Sequence, residues 1–359
     1  MHCIVKREIR MQNTNRTWVK LFALLLVLAL VVPVAMAQEA TEEPMETVEL
    51  PEVDPLSVTG DIITAGSSTV FPLTARMAEL FEEEGYTGTI TVDSIGTGAG
   101  FERFCVNAET DISNASRAIR DSEVEACREN GREPVEFYVG IDALGIVVSA
   151  ENDFVDGLTI DQLGRIFGGE YTTWNQVNPD WPANPIALFS PGTDSGTYDY
   201  FVEEVMRPFA EAQGVVNDEA TEDNEIAIAA EQAILGVQGT QFSENDNVLV
   251  EGVQGDPNAI GYFGFAYYEE NADVIRVIPI DGIEPNEETA ESGEYPLARP
   301  LFIYSDATIM MEKPQVAAFI NFYLTNVNNE VLSVGYFPVS EEALNEARLN
   351  WLVAMGMAE

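Results

Sequence analysis

Three times in this chain a short apolar or β-branched stretch runs into a turn of Ser, Gly and Thr and then into apolar residues at helical spacing. Ile186 to Phe189 leads into Ser190-Pro-Gly-Thr-Asp-Ser-Gly-Thr-Tyr198, and Tyr198 to Phe209 follows with a helical pattern. Asp61 to Ala65 leads into Gly66-Ser-Ser-Thr-Val-Phe-Pro72, after which Leu73, Met77, Leu80 and Phe81 recur on one helical face until Gly85. Thr89 to Val92 leads into Ser94-Ile-Gly-Thr-Gly-Ala-Gly100, backed by Phe101, Phe104 and Cys105. A strand, a polar turn and a helix place free backbone N–H groups and hydroxyls around one small volume, with Asp194 or Ser195 as N-cap of the Tyr198 helix. Gly196 lets the backbone come close, and the positive end of the helix favours negative charge. Each turn alone is an ordinary capped turn; three of them predict an anion site.

The remaining pattern alternates strands with helices, which predicts an α/β fold. In open α/β sheets the loops after the strands' carboxyl ends gather at one edge, where all three turns would lie. Two long apolar stretches are broken by glycine, Val135 to Ser149 with Gly140 and Gly145, and Ala259 to Phe265. Each suits a strand that leaves one lobe for another. The expected organisation is therefore residues 59–143 and 264–359 in lobe 1 and 144–263 in lobe 2, with hinges near 140–147 and 258–264. A cleft between the lobes, lined by the turns, follows.

The first 37 residues read as a secretory signal: Lys6, Arg7, Arg10, Arg16 and Lys20, then the apolar run Leu21 to Val32, then Ala35-Met36-Ala37. The expected location is periplasmic or extracellular, with no Cys near the cleavage point for lipid attachment. Residues 38–58, rich in Glu and Pro, are expected to be a solvated linker. The whole chain has 17 basic and 61 acidic residues; without the first 37 it keeps 12 and 60, a formal net charge of −48, and loses its single histidine, His2. Such acidity repels nucleic acid and anionic membrane. Cys105 and Cys127 remain as an even pair in an exported chain and are expected to form a disulfide.

Enzyme chemistry finds little support. Gly192-Thr-Asp-Ser-Gly196 lacks the G-x-S-x-G order of a nucleophile elbow, and no histidine is left to deprotonate Ser195. Lys313, the one lysine left, stands far along the chain. The glycines of Ser94 to Gly100 are spaced G-x-G-x-G, without the acidic residue that a dinucleotide site needs. No Cys/His zinc site can be assembled, and the acids show no tight ligand spacing, so no cofactor or metal is expected. Arg117, after Asp111-Ile-Ser-Asn-Ala-Ser116, is the one cation in these loops, and its fork matches two oxygens of a tetrahedral oxyanion.

Gly66 to Pro72, Ser94 to Gly98, Asp111 to Ser116, Arg165-Ile-Phe-Gly-Gly169 through Trp174, Asp194-Ser-Gly-Thr197 and Ile260-Gly-Tyr262 resemble, in order and over nearly the whole mature chain, the phosphate-binding proteins of ABC importers. That resemblance implies the two-lobed periplasmic-binding-protein fold (type II), with inorganic phosphate held in the interlobe cleft and delivered to a membrane permease, and no catalysis. It places phosphate contacts at Thr69, Val70 (through its backbone), Thr97, Ser116, Ser195, Gly196 and Thr197, and Ser68, Gly98, Arg117 and Asp194 are expected beside them. Two positions depart from the pattern. Arg117 stands where the family has an Asp, and Pro191 stands where it has an Arg, so Arg117 is expected to supply the charge. Asp194 or Asp142 is expected to take over as acceptor of the phosphate proton. A monomer is expected. The competing readings are a receptor for sulfate or arsenate and, from another class, a secreted phosphate-ester hydrolase.

Overall fold

The structure is a computed structural model and describes residues 47–217 and 224–358. The expected signal peptide, residues 1–37, lies outside the described residues. Among the described residues nine strands form one hydrogen-bonded sheet: β1 (Ile62–Gly66), β2 (Ile90–Ser94), β3 (Ile112–Ala115), β4 (Pro134–Ser149), β5 (Ala187–Pro191), β6 (Gln241–Ser243), β7 (Ala259–Gly264), β8 (Ile275–Val277) and β9 (Ala298–Asp306). Their order is β2-β1-β3-β9-β4-β7-β5-β6, with β8 also on β4.

β4 makes two lobes out of this sheet. Its first ten residues, Pro134 to Ala143, pair antiparallel with β9, and its last part, from Leu144, pairs with β7 and β8. A sixteen-residue strand is far longer than one sheet of this size needs. The first lobe carries β2, β1, β3 and β9; the second carries β7, β5, β6 and β8. Helices cover both groups, giving a two-lobed α/β fold of the periplasmic-binding-protein kind.

The apolar spacing read from the sequence corresponds to observed helices at Phe71–Glu83, Ile160–Phe167, Glu225–Gly236, Pro314–Glu330 and Glu341–Ala354. Their buried faces include Leu73, Met77 and Phe81 on the first and Leu163, Ile166 and Phe167 on the second. Ser340 caps the last helix and Thr159 the second, each accepting from a backbone N–H of the first turn.

One passage between the two groups of strands lies inside β4, and the other follows β8. β8 pairs Val147 to Ser149 with Ile275 to Val277, so the chain is still in the second lobe at Val277. It returns through 278–297, where the Leu144 N–H donates to the Leu297 carbonyl at 2.9 Å and the Tyr295 hydroxyl donates to the Leu144 carbonyl at 2.8 Å. The two crossings thus run side by side, and β9 enters the first lobe carrying Arg299.

The stretch 38–58 is not simply a solvated linker. Within its described part the Val48 N–H donates to Asn345 Oδ1 at 2.7 Å, and the Asn321 amide donates to the Pro51 carbonyl at 3.1 Å. Leu50, Val53 and Val58 pack on the core, and Pro55 is buried. Spaced apolar residues among the Glu and Pro were enough to dock it.

Cys105 and Cys127 form a disulfide across 22 residues, joining the turn after the Thr97 helix to the helix Asp121–Glu129. Phe101, Phe104, Ala115, Phe302 and Tyr304 pack around it. Replacing both cysteines by serine is expected to cost about 3 kcal/mol in urea unfolding, from the loop that the bridge closes. The wild-type protein is expected not to label with a thiol reagent until it is reduced.

Candidate anion site

The first three turns meet because β2, β1 and β3 are adjacent and parallel. Gly66, at the end of β1, is in register with Ser94 of β2 and Asn114 of β3, so the residues that follow all emerge at one sheet edge. Two glycines let them close up. Gly66 has a φ of 144°, and a Cβ there would sit 2.1 Å from the Asn114 carbonyl oxygen. A Cβ on Gly100 would sit 2.5 Å from the Gly66 Cα. The short helix Thr97–Phe101 is thereby drawn down on the Ser67–Val70 turn.

Within this cluster the polar groups are tied to one another. Ser67 Oγ accepts from the Thr69 and Val70 N–H groups at 3.2 and 3.3 Å. The Ser116 N–H donates to Thr97 Oγ1 at 3.2 Å, and the two hydroxyls lie 3.2 Å apart. The Tyr336 hydroxyl donates to the Thr69 carbonyl at 2.7 Å.

The fourth turn comes from the second lobe. It follows β5, with Ser195 as N-cap of Gly196–Phe201, its Oγ accepting from the Thr197 N–H at 3.2 Å. A Cβ on Gly196 would stand 3.6 Å from the Thr69 Cα, so the turns of the two lobes face each other almost in contact. Ser68, Thr69, Thr97, Gly98, Ser116 and Arg117 line a cavity of about 560 Å³ between the lobes. Val70 is fully buried beneath it, and Ser195 to Thr197 stand at the Thr69 contact rather than along the wall.

Arg299 is the cation at this contact, and sequence reasoning missed it. Its Nε and Nη2 both reach Asp142 Oδ2 at 3.0 Å. Nη2 also donates to Thr69 Oγ1 at 2.5 Å and, more weakly, to the Gly196 carbonyl at 3.5 Å. Its guanidinium lies over the Tyr200 ring at 3.7 Å. One side chain from β9 therefore touches the turn after β1, the turn after β5 and the helix behind that turn.

Arg117 lines the cavity, but Glu123 holds its fork with bonds of 2.8 and 2.7 Å. That carboxylate also holds the Arg117 guanidinium above its ordinary range. The charge expected from Arg117 is largely neutralised. Asp194 is exposed, off the cavity wall, with its N–H on Glu244 at 3.4 Å. Asp142 is buried and its acceptor Oδ2 is occupied by Arg299; Oδ1 has no hydrogen-bond partner. Burial pushes the Asp142 carboxyl up, with Arg299 opposing. The carboxylates that do line the cavity are Asp199, Glu203 and Glu204. Desolvation in the cleft pushes Asp199 and Glu204 up, although both side chains still reach solvent. Among the described residues no cluster of His, Cys, Asp and Glu is arranged to hold a metal.

Comparison with known proteins agrees with this architecture. The PBP superfamily domain matches residues 51–327. Protein SphX of Synechocystis is 37% identical over 306 residues, 83% of this chain and 84% of that one. The phosphate-binding protein PstS of Staphylococcus saprophyticus is 33% identical over 292 residues, 80% of this chain and 83% of that one. The crystal structure of a possible phosphate binding protein from Planctomyces limnophilus superposes with a TM-score of 0.69 at 34% identity, covering 83% of this chain and 99% of that one. The ABC-type phosphate transport receptor of Vibrio cholerae shares the fold, with a TM-score of 0.58 at 21% identity over 77% and 99% of the two chains. This chain belongs to the phosphate-binding proteins of the PBP superfamily.

The contact between Gly66 and Gly100 gives a test of the site's construction. Gly100→Ala is expected to destabilise the protein by about 1–3 kcal/mol through overpacking. Anion affinity, read by calorimetry on the folded fraction, is expected to fall as well, because the Thr97 turn is pushed off the Thr69 turn.

Proposed function

We propose that this chain captures inorganic phosphate outside the cytoplasmic membrane and delivers it to an ABC importer by closing its cleft. The observation that carries the reading is that three polar turns of the first lobe line one cavity with Arg299, and that its guanidinium also reaches the Ser195 turn of the second lobe, in a chain of this family. Thr69, Val70, Thr97, Gly98 and Ser116 serve from the first lobe and Ser195, Gly196 and Thr197 from the second. The Thr69, Val70 and Thr197 N–H groups bond to serine hydroxyls of their own turns, and the Thr97 and Ser116 hydroxyls face each other.

Arg299, rather than Arg117, is the phosphate's cation in this reading. It takes over from the family Arg that Pro191 replaces, reaching the cleft from the opposite lobe. Asp142 fixes its fork from behind. A ligand bridging Arg299 and the Ser195 turn stabilises the closed form by contacts that an open form lacks, and the permease senses that closure. In this reading Asp199 and Glu204, which line the cavity, take the acceptor role toward the phosphate proton. The chain acts as a monomer.

Isothermal titration with phosphate tests this directly. Arg299→Ala is expected to weaken binding by about 2–5 kcal/mol, as truncation of a buried charge partner does. Arg117→Ala, already neutralised by Glu123, is expected to change it by less than about 1 kcal/mol. The reverse ranking would return the charge to Arg117. Sulfate, with no proton to offer the carboxylates, is expected to bind on the order of tenfold more weakly or worse. Equal affinities would favour a general oxyanion receptor.

A further inference from the structure

The guanidinium of Arg299 is engaged on two of its three nitrogens. Nε and Nη2 are bonded to Asp142, Thr69 and, weakly, Gly196, which leaves the Nη1 edge. Glu203 faces that edge: its Oε2 lies 3.8 Å from Nη1, an ion pair too long for a hydrogen bond. Glu203 belongs to the π-turn Val202–Met206, which continues the helix behind Ser195. Its side chain is 49% exposed, whereas that of Arg299 is 11% exposed. It also has a second partner, since Arg207 Nη1 reaches its Oε1 at 3.5 Å. A half-exposed carboxylate, loosely shared between two arginines, can leave one for the other at little cost.

We infer that Glu203 is an internal competitor for the phosphate site, a carboxylate on the second lobe that occupies the open edge of Arg299 until the ligand displaces it toward Arg207. The inference rests on Arg299 being the phosphate's cation, as proposed above. The pair spans the cleft, because Arg299 stands on β9 of the first lobe and Glu203 on the second. The negative charge of Glu203 repels an arriving dianion and must surrender a favourable contact when it moves aside. Both effects lower affinity. In a protein whose task includes release to a permease, a resident anion also gives Arg299 a partner once the phosphate has left, so that its charge is not stranded.

Glu203→Gln keeps the shape and removes the charge. In titrations with inorganic phosphate at low ionic strength, the variant is expected to bind between about fivefold and thirtyfold more tightly than wild type, as loss of a close unfavourable charge implies. The advantage is expected to shrink as salt is raised, because screening weakens the repulsion. A purely steric role would show no such salt dependence. Glu203→Asp, which keeps the charge, is expected to stay nearer wild type. Thermal melting of each variant without phosphate checks that it is folded. Unchanged or weaker binding by a folded Glu203→Gln protein, with wild type binding phosphate normally, overturns this inference alone. Failure of wild type to bind phosphate overturns it together with the reading on which it rests.

Discussion

The structure around the cleft depends on one buried ion pair, Arg299 with Asp142. Asp142 is 1% exposed and sits in the middle of β4, where the strand passes from one lobe to the other. Its register partner across the antiparallel ladder is Arg299 itself. A carboxylate in that position is costly to bury, and removing one partner of such a pair leaves the other uncompensated. The pair therefore fixes the guanidinium at the lobe junction, with both Nε and Nη2 on one oxygen. Thr69, Tyr200 and the Gly196 carbonyl then find it already in place.

That placement answers an electrostatic difficulty. Of the 12 basic residues beyond position 37, most are engaged with acids, as Lys313 is with Asp111 at 2.6 Å and Arg117 is with Glu123. Arg132 and Arg276 are committed to backbone carbonyls. A chain this acidic has no long-range field to draw in a dianion, and salt would screen such a field within about 10 Å. Under the proposed function, capture comes from short hydrogen bonds and one guanidinium largely held out of water, where its charge is least screened.

Much of this was legible in the sequence, because the turns carry their own chemistry. Ser, Gly and Thr between a strand and a helix announce a cap, and the parallel register of β1, β2 and β3 only had to bring the caps together. The disulfide followed from two cysteines left in a chain read as exported. β3 was harder: Ile112 to Ala115 is only four residues, fully buried yet half polar, so it read as part of a turn. The passage that follows β8 was hard to read for a related reason. Three-residue β8 has too little pattern to show that it extends the second lobe.

Arg299 was hidden by the same logic that exposed the loops. A search for cations among polar turns passes over an arginine that opens an apolar strand, between Ala298 and Pro300. The available signal was its rarity. Facing Pro300-Leu-Phe-Ile-Tyr304, in a chain with so few basic residues, a guanidinium entering a buried strand requires a carboxylate on the neighbouring strand, and Asp142 is the one acid within Gly140 to Ser149. Neither residue explains itself alone; together they mark the point where the turns of the two lobes meet. The cation thus comes from the core of the first lobe, where no loop movement can carry it away. The second lobe brings to it a turn of donors and, on the same helical run, the carboxylate of Glu203. Under the proposed reading, attraction for a ligand and a resident substitute for it arrive on one helical run, and the balance between them would set how firmly the cleft holds its ligand.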